Sequence, residues 1–243
     1  MLDKTKEKDT IEFLKTTFDT FDEECIGFKD TLGLKTTEGN TATNALGGSS
    51  ASSSSATATL GFNAYRASDG KYGVVTAAHF ATSGTIIKNA LGTSIGSASV
   101  RQYSGPIDAA FIPFPSTIIK SYRLCVVTVP DADRLTGWGS STIVAGVTTY
   151  KYGKTTGLNS GQVVSASTSI NVGGITFTDQ IKISNTQLAG DSGAPVVVVP
   201  YGPMLYPEKN ILGIATFADT SNNGYVSKVG NIKSALSITP YVY

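Results

Sequence analysis

A serine flanked by glycines stands at Gly190-Asp191-Ser192-Gly193, directly before the apolar run from Ala194 to Val199. The glycines permit a tight turn that lifts the serine hydroxyl clear of its neighbours and lets backbone N–H groups point at a substrate oxygen. The same residues are also ordinary turn formers. The sole histidine, His79, ends the run Val74-Val75-Thr76-Ala77-Ala78-His79, whose small alanines leave room for another side chain to approach. Asp108 interrupts Ile107-Asp108-Ala109-Ala110-Phe111-Ile112. A carboxylate so placed is rarely buried without a partner. It reads either as a strand-end Asp after Gly105-Pro106 or as a buried group that orients an imidazole. A hydroxyl, an imidazole and a carboxylate together suffice for nucleophilic catalysis: one attacks, one takes the proton, one holds the base. A single histidine excludes any mechanism that needs two imidazoles.

Three such groups, separated by 29 and 84 residues, must be brought together by tertiary structure. From about residue 57 the chain alternates short β-rich runs with Gly, Ser, Asn and Pro punctuation. Runs are expected at 57–65, 72–76, 84–88, 96–102, 107–113, 124–129, 142–151, 161–170, 175–184, 194–200, 211–217 and 223–229. Many short, closely spaced strands argue for an antiparallel sandwich or barrel. Residues 230–238 read as a closing C-terminal helix.

The 243 residues carry 19 Lys/Arg and 18 Asp/Glu, and 40% of them are hydrophobic. That balance argues against a charge-driven nucleic-acid binder and against a chain too polar to fold. There is no run of 18 apolar residues, so no transmembrane helix is expected. Two cysteines, Cys25 and Cys125, cannot make a disulfide framework or a zinc site by themselves. No metal or organic cofactor is called for.

Charge is uneven along the chain. Residues 1–38 hold ten Asp/Glu and six Lys and are net −4, while the remainder is net +5. Ile11, Leu14, Phe18, Phe21 and Cys25 recur at helical spacing, so 10–26 reads as an amphipathic helix. Residues 39–59 have linker composition, which places a boundary near 44. Residues 1–44 thus form an N-terminal helical segment with its linker, and 45–243 the main domain. No secretory signal is visible at the start.

His, Asp and Ser in this order give the chain a resemblance to the chymotrypsin-fold serine proteases, specifically the compact bacterial branch that includes alpha-lytic protease and the streptogrisins. The likeness extends beyond the three residues. It includes Leu60-Gly61-Phe62-Asn63-Ala64 followed by Gly73 to His79, and Tyr152-Gly153-Lys154-Thr155-Thr156-Gly157 followed by Ser160-Gly161-Gln162-Val163. It also includes Leu46-Gly47-Gly48 near a mature N-terminus and Leu212-Gly213-Ile214-Ala215-Thr216-Phe217 beside a specificity pocket. Coverage is about residues 45–240. Three positions depart from the branch's pattern: Ala194 replaces a second Gly, Phe80 a common Cys, and Thr216 the usual Ser.

The resemblance implies two six-stranded antiparallel β-barrels, at about 57–133 and 140–230, with a C-terminal helix and an N-terminal helical extension. It implies a serine endopeptidase in which Ser192 attacks, His79 is general base and Asp108 fixes the imidazole. The N–H groups of Gly190 and Ser192 would form the oxyanion hole. Lys151, just before the Gly-x-Thr-Thr-Gly segment, would pair with Asp191. The substrate pocket would be lined by Thr186, Gln187, Leu188, Ala189, Thr216, Phe217, Ala218 and Gly224. Thr186 occupies the pocket base where tryptic enzymes carry an Asp, so uncharged residues of small to medium size are expected before the cut. Asp219, beside the pocket wall, could turn inward and favour a cation. The implied partner is a protein or peptide substrate met by a secreted monomer, with residues 1–44 as a pro-segment cut near an accessible Asn44-Ala45. The alternative is a catalytically silent binding or adhesion module on the same fold.

Overall fold

The structure is a computed structural model, and it describes residues 43–124, 134–139, 143–199 and 209–243. The expected helix at 10–26, Cys25, Cys125 and all but Leu124 of the expected strand at 124–129 lie outside these residues.

The first half contributes β1 (Thr43–Asn44), β2 (Ser50–Ser52), β3 (Thr57–Thr59), β4 (Asn63–Arg66) and β5 (Lys71–Thr76). It continues through β6 (Ile86–Asn89), β7 (Ser94–Ser97), β8 (Val100–Ser104), β9 (Ile107–Pro113) and β10 (Ile118–Ile119). The second half contributes β11 (Leu135–Trp138), β12 (Thr148–Gly153), β13 (Gly157–Val172), β14 (Ile175–Thr186), β15 (Pro195–Val198), β16 (Lys209–Ala218) and β17 (Asn223–Lys228). A single described helix, α1 (Val229–Leu236), follows, and β18 (Thr239–Pro240) returns to pair with β4.

This is a chymotrypsin-like double barrel. In the second half, β16, β15, β12, β13, β14 and β17 are hydrogen-bonded in that order, and β17 pairs back onto β16. The sheet therefore closes into a six-stranded barrel, which removes its edges. The first half divides into a sheet β18-β4-β5-β9-β8 and a sheet β3-β2-β6-β7. Bonds such as Gly61 N–H to the Val75 carbonyl and Leu60 N–H to the Ser49 carbonyl join them at a corner. Two pairings are parallel, β1 with β10 and β11 with β16, so the strands are not all antiparallel.

Each barrel encloses its own apolar core. Leu60, Val74, Ile87, Ile95 and Ile112 fill the first; Val163, Ile181, Ile183, Val196, Leu212 and Val226 fill the second. A third cluster, with Phe62, Val75, Ile107, Phe111, Ile211 and Ile214, spans both halves and takes in Ile232 and Leu236 of α1. Ile107 to Ile112 are buried without interruption, which explains why β9 reads as an apolar run rather than an alternation. Helix α1 buries Val229, Ile232 and Leu236 on one face and stops at Ser237, whose backbone is left-handed (φ 53°). It therefore ends before the expected 238.

The linker reading of residues up to 59 is corrected beyond residue 44. Ala45 and Leu46 are buried, not accessible, and Asn63 donates a side-chain bond to the Ala45 carbonyl at 2.7 Å. Ser50–Ser52 and Thr57–Thr59 pair as a hairpin whose Ala51 and Ala58 have no exposure. Small residues are needed there because two strands pack closely. The run expected at 57–65 divides into β3 and β4, and the one at 96–102 divides at Ala98 into β7 and β8. No described helix is long and apolar enough to cross a membrane.

The hairpin gives a direct prediction. Brief digestion of the native protein by a broad-specificity protease leaves the bonds between Ala45 and Ser52 uncut. Cleavage there under native conditions would restore the linker reading.

Candidate functional site

Strand β5 runs beside β9 with Thr76 opposite Ala110, so the chain leaving β5 delivers His79 next to Asp108. The Asp108 carboxylate holds the histidine twice. One oxygen accepts the His79 backbone N–H at 2.9 Å, and the other lies 2.5 Å from Nδ1. Asp108 is fully buried, while 31% of the His79 side chain is exposed. An ionised carboxylate only accepts, so Nδ1 is the donor in this contact.

The back of Asp108 is anchored across to the second barrel. Its backbone N–H donates to Ser227 Oγ at 3.0 Å, Ser227 donates to Gln180 Oε1 at 3.1 Å, and Gln180 Nε2 donates to the Pro106 carbonyl at 2.8 Å. Ser227 and Gln180 are fully buried, so these polar groups satisfy one another where water does not reach.

Ser192 lies in the turn before β15. Its carbonyl accepts the Thr59 N–H at 2.9 Å, which fastens the turn to β3 of the first barrel. The next residue must be glycine. Gly193 has φ +92°, and a Cβ there would lie 2.2 Å from the Thr59 carbonyl oxygen and 2.3 Å from Thr76 Oγ1. That contact seats Ser192 against the end of β5, three residues before His79. The Ser192 hydroxyl donates to the Thr216 carbonyl at 3.3 Å rather than to the imidazole.

The backbone donors of this turn divide into two sets. The N–H groups of Asp191, Gly193 and Ala194 bond to the carbonyls of Leu188, Ala215 and Asp191. Those of Gly190 and Ser192 meet no acceptor among the described residues. Two backbone donors beside a serine hydroxyl therefore remain available to an incoming oxygen.

Beneath the turn, Asp191 and Lys151 form a fully buried ion pair at 2.6 Å. Asp191 also accepts the N–H groups of Thr155, Thr156 and Leu188 and the Thr156 hydroxyl. Burial pushes the Asp191 carboxyl up, but Lys151 and Thr156 outweigh it and hold the group below the usual carboxylate range. For Lys151 burial dominates, and its ammonium sits below the ordinary lysine value despite Asp191. Gly153 makes room, since a Cβ there would lie 2.3 Å from Asp191 Oδ1.

Of the residues expected at the substrate pocket, Thr186, Gln187, Ala218 and Gly224 lie at neighbouring strand ends. Thr186 faces Asn223 and Ala218 faces Gly224 across strand pairs, and Gln187 N–H donates to the Asn222 carbonyl. Gln187 is buried, and its side-chain oxygen meets no donor among the described residues. Thr216 donates its hydroxyl to the Tyr225 carbonyl at 3.2 Å. Phe217 stacks on the His79 ring at 5.7 Å and contacts Phe177 and Tyr103, so it flanks the imidazole. Asp219 does not turn inward. It accepts from Ser221, Asn223 and Lys182, and Asn223 first and then Lys182 hold its carboxyl far below the ordinary value. Sequence reasoning missed Thr156, Gln180, Ser227, Tyr103 and Phe177. Thr156 alone carried a signal, as part of the Gly-x-Thr-Thr-Gly segment.

No protein-family profile and no curated protein sequence matches the chain. Solved structures do. Thermobifida fusca Protease A is 16% identical with a TM-score of 0.68, over 83% of this chain and 100% of its own. Nocardiopsis protease is 20% identical with a TM-score of 0.69, over 82% and 100%. An alpha-lytic protease homologue is 21% identical with a TM-score of 0.64, over 81% and 99%. The fold is that of the bacterial chymotrypsin-like serine proteases.

Removing one partner of a buried pair leaves the other charge uncompensated, at a cost of about 3–5 kcal/mol. Lys151→Ala therefore lowers the melting temperature by roughly 10 °C in a chain of this size, read by calorimetry; an unchanged value contradicts the account. The pH dependence has a definite sign. Asp191 has a depressed folded pKa, so its contribution is complete above the unfolded value of about 3.9 and is lost as pH falls through the folded one. The urea midpoint of wild type drops with acidification below about pH 4, and this part of the drop is absent in Asp191→Asn.

Proposed function

We propose that the chain is a serine endopeptidase that works through an acyl-enzyme. Ser192 is the nucleophile, His79 the general base, and Asp108 the group that sets the imidazole tautomer and balances its charge. The observation that carries the reading is the pairing of two features across the barrel interface. On one side a buried carboxylate grips the only histidine. On the other, the N–H groups of Gly190 and of Ser192 itself meet no acceptor among the described residues.

In the first half-reaction the Ser192 hydroxyl turns from the Thr216 carbonyl toward Nε2. Its oxygen bonds to the peptide carbonyl carbon as its proton passes to His79. The carbonyl π electrons move onto oxygen, which the Gly190 and Ser192 N–H groups stabilise. Each such donor is worth about 2.7–4 kcal/mol in the transition state. The tetrahedral intermediate expels the amine, which takes the proton from His79. Water then enters by the same route: its oxygen bonds to the acyl carbon as His79 takes its proton, the acyl bond to Ser192 breaks to release the carboxylic acid, and His79 returns the proton to the Ser192 oxygen.

The pocket supports cleavage after uncharged side chains. Asp219 is committed to Lys182 and Asn223, and the only histidine belongs to the reaction centre. Phe217 and Tyr103 offer an aromatic surface beside His79.

Labelling by a fluorophosphonate probe tests the nucleophile. Wild type is labelled once per chain, and Ser192→Ala is not labelled while keeping its melting temperature. Asp108→Asn lowers kcat by about four orders of magnitude, since an amide favours the wrong imidazole tautomer. A Ser192→Ala protein with wild-type turnover would end the proposal. Cleavage of a proteome-derived peptide library gives the pocket preference, and products ending mainly in Lys, Arg or Glu would contradict the uncharged reading.

A further inference from the structure

Two consecutive carbonyls before the reactive serine are each held by a threonine hydroxyl, from opposite barrels. Thr155, in the turn between β12 and β13, donates Oγ1 to the Ala189 carbonyl at 2.8 Å. Thr59, at the end of β3, donates Oγ1 to the Gly190 carbonyl at 2.8 Å and accepts the Lys154 N–H at 3.0 Å. A trans peptide is planar, so its C=O and N–H point in opposite directions. Holding the Ala189 carbonyl against Thr155 therefore turns the Gly190 N–H to the other side, where it has no acceptor among the described residues. Reversing this peptide would withdraw the donor and present a carbonyl oxygen in its place.

Little else resists that reversal. Gly190 has no side chain, and its φ of +98° is open to glycine alone. Ala189 is exposed. A Cβ on residue 190 would lie 2.4 Å from Thr155 Oγ1, so the hydroxyl sits directly on the glycine. Thr59 is fully buried and fixes the following peptide by the same device. Its backbone N–H also binds the Ser192 carbonyl, so β3 grips the turn at two points.

We infer that Thr155, backed by Thr59, is a positioning residue that holds the 189–190 peptide in the donor-inward orientation. The inference rests on the serine hydrolase reading above. It makes the oxyanion hole a product of barrel docking: one clamp comes from each barrel, and Lys154 N–H ties the second clamp to the turn that carries the first.

The test uses the full chain and one fluorophosphonate probe, whose phosphoryl oxygen occupies the place of the substrate oxyanion. Thr155 is exposed, so Thr155→Val should fold as wild type does, checked by its melting temperature. Its maximal labelling rate falls about three- to tenfold, the effect of one uncharged hydrogen bond. The half-saturating probe concentration stays the same, because the clamp acts on the transition state. Thr155→Ser restores the wild-type rate. A Thr155→Val protein that matches wild type in maximal rate overturns the positioning role and leaves the hydrolase reading standing. So does a loss confined to half-saturation, or one that Thr155→Ser fails to restore. A wild-type chain that the probe does not label at all overturns the hydrolase reading and this role with it.

Discussion

One buried carboxylate organises the reactive turn. Asp191 has no access to water, yet the Lys151 ammonium, the Thr156 hydroxyl and three backbone N–H groups converge on it. A charge in such a place is tolerable only when its lone pairs are filled. Filling them requires residues 151–156 and 188–191 to adopt one arrangement relative to each other. That arrangement brings Thr155 under Ala189, sets Gly190 and Gly193 at positive φ and leaves the Gly190 and Ser192 donors without an acceptor among the described residues. A rigid serine turn is thus a consequence of satisfying one acid in the core.

Asp108 plays the same part in the other barrel. It fixes His79 from behind, and its own strand is fixed to β17 and β14 through Ser227 and Gln180. The two reactive halves are therefore positioned by polar contacts that cross the interface, while the shared apolar cluster around Phe62, Phe111, Ile211 and Ile214 supplies the bulk adhesion. Hydrophobic burial is non-directional and holds the barrels together. The hydrogen bonds fix the register, because a misplaced buried donor or acceptor carries its full desolvation penalty.

Much of this frame could be read from residue types. Strands β9, β12, β14, β16 and β17 announce themselves through Val, Ile, Tyr and Phe between Gly and Asn breaks, and the histidine, aspartate and serine stand out by rarity and setting. The Ser-Ala-Ser hairpin did not, because its core positions are alanines and carry little hydrophobic signal. β11 is short and pairs parallel with a strand more than 70 residues away, which no local pattern reveals. Lys151 looks like a solvated strand residue until Asp191 is placed beside it. Thr59 is invisible for a similar reason: its hydroxyl serves a carbonyl 131 residues away, a distance that only the folded barrels close.

The central claim is that Ser192 forms a covalent acyl intermediate. Rapid mixing with p-nitrophenyl acetate, followed by intact-mass measurement after acid quench, tests it most directly. The account predicts a burst of one p-nitrophenol per chain and a mass gain of one acetyl group located on the peptide that contains Ser192. Steady release without a burst, with no acetyl on that peptide, would contradict it.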